Sequence, residues 1–74
     1  MDDIIVSLAR EYVDLIDAMR AGVVDPQTLR DMEAQRGVLH EQLLSFLGES
    51  RMSVEDMYQR AKQIIRESRR RGGL

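Results

Sequence analysis

The sequence predicts a small all-α fold: an antiparallel helical hairpin followed by a third, basic C-terminal helix. Apolar residues recur at spacings of three and four in three separate stretches, which is the period of an amphipathic helix. Gly22, Pro26 and Gly48 punctuate the joins between these stretches. We therefore expect one helical domain over residues 1–74, with helices at about residues 3–21, 26–47 and 54–71 and a flexible tail at 72–74.

The first helix is predicted from a stripe of apolar residues that would face a neighbouring helix. The members of this stripe are Ile5, Leu8, Tyr12, Leu15 and Met19. Gly22 follows, and glycine favours the left-handed conformation that commonly ends helices.

The second helix has the clearest start in the chain. Asp25 is a good N-cap residue, and Pro26 stands at the first helical position, where the missing amide has no cost. The short connection makes the first two helices antiparallel neighbours. The second helix would meet the first through Leu39, Leu43 and Phe46.

The third helix is predicted to begin after Ser53, a second good N-cap residue. Its apolar residues would dock it on the hairpin or contact a partner. They are Val54, Met57, Ile64 and Ile65.

Charge divides unevenly along the chain, although the net charge is only −2. Residues 1–50 carry ten acidic and four basic residues, whereas residues 51–74 carry three acidic and seven basic ones. Such a division suits either binding of nucleic-acid phosphates or attraction between the two parts of the chain. The candidate basic patch consists of Arg60, Lys62, Arg66, Arg69, Arg70 and Arg71.

Catalytic and cofactor chemistry finds little support in the composition. There is no cysteine and only one histidine, His40, so a zinc site of four ligands is not predicted. No apolar run approaches the roughly 20 residues of a membrane span, and the charged start does not resemble a secretory signal. We expect no enzyme activity, cofactor, metal, small-molecule substrate or membrane association, and a cytoplasmic location.

The functional prediction comes from the apolar content, which is 43% of a 74-residue chain. A hairpin with two broad apolar faces has more apolar surface than its two helices cover for each other. We therefore expect an adaptor, co-chaperone, regulator or inhibitor that packs helices against another protein or against itself as a homo-oligomer. The alternative is a nucleic-acid-associated protein that uses the basic third helix.

Two stretches resemble known families. The segment "MRAGVVDPQTLRDMEAQRGVLHEQLLSFL" is similar to the hairpin of the small co-chaperones of type III secretion needle subunits. That resemblance implies a hairpin that shields another helix. The same segment is also similar to the Spo0E-like phosphatase hairpins, but the Ser-Gln-x-Leu-Asp signature of that family is absent after Leu29. The terminal "RGG" resembles the tail of ubiquitin-like modifiers, but those are β-grasp folds and this chain has helical periodicity throughout.

Overall fold

The computed structural model describes residues 2–23 and 25–72 and confirms the all-α fold. The helices are α1 (Asp2–Ala21), α2 (Pro26–Leu47) and α3 (Val54–Gly72), and the described residues contain no strand. Each boundary lies within one residue of the predicted position. Gly72 closes α3, and the remainder of the predicted tail, residues 73–74, lies outside the described residues.

The join between α1 and α2 follows the local signals in the sequence. Gly22 has φ of +110° and donates its N–H to the Met19 carbonyl at 3.2 Å. The Asp25 carboxylate accepts hydrogen bonds from the Thr28 N–H at 3.0 Å and from the Thr28 hydroxyl at 2.8 Å. Asp25 thereby satisfies a backbone donor that the first turn of α2 leaves free.

A left-handed glycine ends α2. Gly48 has φ of +70°, its N–H bonds to the Ser45 carbonyl, and the Glu49 N–H bonds to the Leu44 carbonyl. These two hydrogen bonds form a Schellman motif, which satisfies the last carbonyls of the helix. At the start of α3, the Ser53 hydroxyl accepts from the Asp56 N–H at 3.0 Å and caps the helix as predicted.

The three helices are arranged around α1. Both α2 and α3 pack against α1, and they hardly contact each other. Asp17 of α1 bonds to Tyr58 of α3. Arg20 lies three residues after Asp17, and its partner Glu55 lies three residues before Tyr58. The two helices therefore run antiparallel. Because α2 is antiparallel to α1 as well, α2 and α3 run parallel to each other.

Two parallel helices need a connection that travels back along their length, and residues 48–53 make it. We call these residues the return segment. Six extended residues reach about 20 Å, which matches roughly 13 residues of helix at 1.5 Å each. His40, in the middle of α2, bonds to the Met52 carbonyl at 2.9 Å. The return segment therefore lies alongside α2 instead of forming a tight turn.

The core lies where α1 meets its two neighbours. Its buried residues are Ala9, Tyr12, Ile16, Leu39, Leu43, Leu44, Met57, Tyr58 and Ala61. Predicted packing residues that are half-buried against this core are Ile5, Leu8, Leu15, Met19, Ile64 and Ile65. Ala9 of α1 and Ala61 of α3 are both fully buried in this core.

The prediction that Phe46 lies in the hairpin seam is wrong, since 53% of Phe46 is exposed. Leu43 and Leu44 are both buried, so the inward direction of α2 lies between them. At 3.6 residues per turn, Phe46 points roughly 110° away from that direction. Val54, in the first turn of α3, is 37% exposed and lines a groove with Ile16 and Met19 of α1.

Candidate interaction surfaces

The outward side of α2 carries an uncharged surface centred on Gln42. We define the α2 outer face as Gln35, Val38, Gln42, Ser45 and Phe46, all of which are exposed. Val38 is 58% and Phe46 53% exposed, the highest values among the large apolar residues of α2. At about 100° per residue, these two side chains point about 40° to either side of Gln42. The α2 outer face thus presents two apolar side chains with an amide between them.

A further exposed apolar side chain lies near one end of this face. Ile4 is 62% exposed at the start of α1. Tyr12 bonds to His40 across the antiparallel hairpin, which places the start of α1 level with the carboxyl end of α2. Ile4 and Phe46 therefore lie near the same end of the hairpin. Neighbouring exposed apolar residues are more informative than isolated ones, which are common on monomers.

A second surface is a groove between α1 and α3. Its lining residues are Arg10, Val13, Asp14, Lys62, Ile65, Arg66 and Arg69, and we call it the basic groove. Val13 and Ile65 are half-buried, so the groove combines apolar surface with four basic side chains and one acidic side chain. Sequence reasoning missed Arg10 and Asp14, which only the antiparallel packing of α1 and α3 brings to this groove.

The basic groove gathers only part of the predicted basic patch. Lys62, Arg66 and Arg69 line it, whereas Arg60 and Arg70 do not. Successive helical residues turn by about 100°, so Arg60 points about 160° away from Lys62. Arg71 belongs to α3, but its side chain lies outside the described part of the chain.

Lys62 also takes part in a cluster around Tyr58 that holds α1 and α3 together. The Tyr58 hydroxyl donates to Asp17 Oδ1 at 2.7 Å, which, together with burial, raises the pKa of Tyr58. The Arg20 guanidinium lies 4.6 Å and the Lys62 ammonium 5.2 Å from the Tyr58 ring centroid, within the range of cation–π attraction. Arg20 also pairs with Glu55 at 2.8 Å. Asp17 and Arg20 thus bridge α1 and α3, whereas Lys62 contacts Tyr58 within α3.

His40 is held by two hydrogen bonds. Its Nε2 lies 2.9 Å from the Met52 carbonyl, which can only accept, so Nε2 carries the proton. Its Nδ1 then accepts from the Tyr12 hydroxyl at 2.8 Å. Burial raises the pKa of Tyr12, and the nearby Arg36 guanidinium opposes that rise. With both ring nitrogens engaged, His40 ties α1, α2 and the return segment together and is poorly placed for catalysis.

The described residues offer neither a metal site nor a membrane span. Residues 2–23 and 25–72 contain no group of three side chains suited to holding a metal ion. Within the same ranges, no helix combines the length and the apolar character needed to cross a bilayer.

The fold and these surfaces define an all-α unit of three helices with two candidate interaction surfaces. Comparisons of the chain with protein-family models, with curated proteins and with solved structures find no match. The functional argument therefore depends on the surfaces themselves.

Proposed function

We propose that this chain is a non-enzymatic interaction protein that receives a helix of a protein partner, or of a second copy, on the α2 outer face. The observation that carries the proposal is the exposure of Val38 and Phe46 on either side of Gln42, without a charged side chain in the α2 outer face. An adaptor, a co-chaperone and a regulator would each act through such a surface.

The energy available from the α2 outer face supports reversible binding. Complete burial of a Val or Phe side chain contributes about 1.5–3 kcal/mol. Because roughly half of Val38 and Phe46 is already covered, each would add about 1–1.5 kcal/mol on binding. Phe46, as the larger ring, would be the anchor of the interface, since aromatic residues dominate binding energy at such sites.

Site-specific photo-cross-linking tests this proposal. A benzophenone-bearing residue would replace Phe46, and a matched chain would carry it at Gln63, which is exposed on α3. After irradiation in cells, we expect a discrete protein adduct from position 46 and little from position 63. Equal labelling from both positions, or no adduct from position 46, would contradict a binding role for the α2 outer face.

The basic groove favours a second candidate function, binding of a nucleic-acid backbone. Arg10, Lys62, Arg66 and Arg69 line one groove, and such a cluster can neutralise phosphates. The apolar Val13 and Ile65 and the acidic Asp14 in the same groove make this the weaker candidate.

Salt-dependent binding to oligonucleotides tests this candidate. We expect the joint variant Arg66→Ala/Arg69→Ala to weaken binding and reduce the salt slope by about 0.7–0.9 per lost phosphate contact. Arg51→Ala, an exposed arginine of the return segment, is the matched control. Fluorescence anisotropy of a labelled oligonucleotide would measure the binding of both variants. Equal losses in the two variants would count against a specific role for the basic groove.

A further inference from the structure

We infer that the occupant of the α2 outer face is a second copy of this chain, whose α2 packs antiparallel to the first about a two-fold axis at Gln42. This inference rests on the proposed function and names its partner. In a two-fold interface the same surface meets itself, so each surface must complement its own image.

Charge is the first argument for a second copy. Of all residues, 32% are charged, yet none of the five residues of the α2 outer face is; the exposed Glu41 lies at its edge, about 100° around the helix from Gln42. A stripe of one sign would repel its symmetry mate, whereas an uncharged stripe pairs with itself without that repulsion. A different partner protein would impose no such condition, because it could supply the opposite charge.

The spacing of the apolar residues is the second argument and fixes the register. Val38 and Phe46 each lie four residues from Gln42, about 6 Å along the helix axis. Antiparallel pairing about Gln42 therefore places Phe46 of each copy against Val38 of the other and buries all four side chains. The two Gln42 amides meet at the axis, where each can both donate and accept a hydrogen bond.

Single-cysteine cross-linking tests the axis directly, because the chain has no cysteine of its own. Packed helix axes lie about 8–10 Å apart, which brings facing Cα atoms near the roughly 4.4–6.8 Å range that a disulfide spans. Gln42→Cys should therefore form a covalent dimer under mild oxidation. Gln35→Cys, the same substitution on the same face, is the matched control, since its two copies would lie about 21 Å apart along the axis.

Two measurements on the purified full chain complete the test. We expect Gln42→Cys to cross-link at least ten-fold faster than Gln35→Cys, as followed on non-reducing gels. Because the four side chains supply only about 4–6 kcal/mol, sedimentation equilibrium at high salt and high protein concentration should give the mass of two chains for the unaltered protein. Phe46→Glu should halve that mass, whereas Ser7→Glu, which adds the same charge on the exposed side of α1, should not. Because Phe46 is exposed, its replacement should leave the circular dichroism unchanged.

The outcomes separate this inference from the proposal on which it rests. Equal cross-linking at positions 42 and 35, or the mass of a single chain at every concentration, would overturn the dimer. A photo-adduct of position 46 with a different protein, together with a single-chain mass, would overturn the dimer and leave the binding role of the α2 outer face intact. A single-chain mass without any adduct from position 46 would overturn both.

Discussion

The hydrogen-bonded pair of Tyr12 and His40 gives the sharpest test of the fold. Tyr12 is fully buried, and its hydroxyl donates to His40, which in turn holds the return segment through Met52. The perturbation is a double-mutant cycle with Tyr12→Phe, His40→Leu and the two combined. The cycle isolates the interaction energy of the pair from the separate effects of the two substitutions.

The expected magnitudes follow from the burial of each group. Tyr12→Phe leaves the half-buried His40 Nδ1 without its donor, at a cost of about 1 kcal/mol. His40→Leu leaves the buried Tyr12 hydroxyl without its acceptor, at a cost of about 1–3 kcal/mol. The double variant leaves neither group unpaired within the pair, so it should cost about 1–2 kcal/mol less than the two single changes together.

Thermal and urea unfolding followed by circular dichroism would measure this cycle. For 74 residues, a change of 1 kcal/mol corresponds to a Tm shift of about 6 °C, so the effects are well resolved. His40→Leu should also speed tryptic cleavage after Arg51, because the return segment loses its bond to α2. If the effects of the two single substitutions were additive and the rate of cleavage after Arg51 were unchanged, the reasoning that this pair fixes the return segment would be refuted.

Three further predictions concern glycines and titrating groups. Gly37→Ala, in open space within α2, should raise the unfolding free energy by about 1 kcal/mol. Gly48→Ala, at φ of +70°, should lower the unfolding free energy by about 1–2 kcal/mol. Urea unfolding would contradict this pair of predictions if both variants shifted the unfolding free energy in the same direction. Burial raises the pKa of Tyr12 above its ordinary 10.0. The stability that protonated Tyr12 contributes to the fold is therefore complete below about pH 10 and is lost as pH rises through the folded pKa. The free energy of unfolding should therefore decline less with rising alkaline pH in Tyr12→Phe than in the unaltered protein. An identical decline would argue against burial as the cause of the raised pKa. Hydrogen bonds from Gln59 and then Arg20 lower the pKa of Glu55 below 4.5, so its contribution is present above that pH and is lost as pH falls through the folded pKa. Glu55→Gln should flatten the acid limb of the stability profile, and an unchanged limb would show that these bonds do not persist in solution.

The helices and their ends could be predicted from the sequence because the signals for them are local. Asp25, Ser53 and Gly48 act through hydrogen bonds or dihedral angles within a few residues of themselves. The apolar spacing likewise places Tyr12, Leu43 and Met57 on inward faces, and the structure buries all three.

The rotation of α2 and the direction of α3 could not be predicted, because they depend on contacts between residues far apart in the chain. Adjacent Leu43 and Leu44 both suit burial, and only packing against α1 decides that Phe46 faces outward. Similarly, the length of the return segment permits several paths, and the bond between His40 and Met52 selects the one alongside α2.

Three helices, their caps and most of their inward faces therefore follow from the order of the residues, since backbone hydrogen bonds and helical periodicity are local properties. The tertiary structure alone decided that α2 and α3 run parallel on two sides of α1. It also decided that Arg10 joins Lys62, Arg66 and Arg69 in the basic groove, and that Val38 and Phe46 remain exposed around Gln42. These features follow from how whole helices share a limited core, which no local pattern encodes.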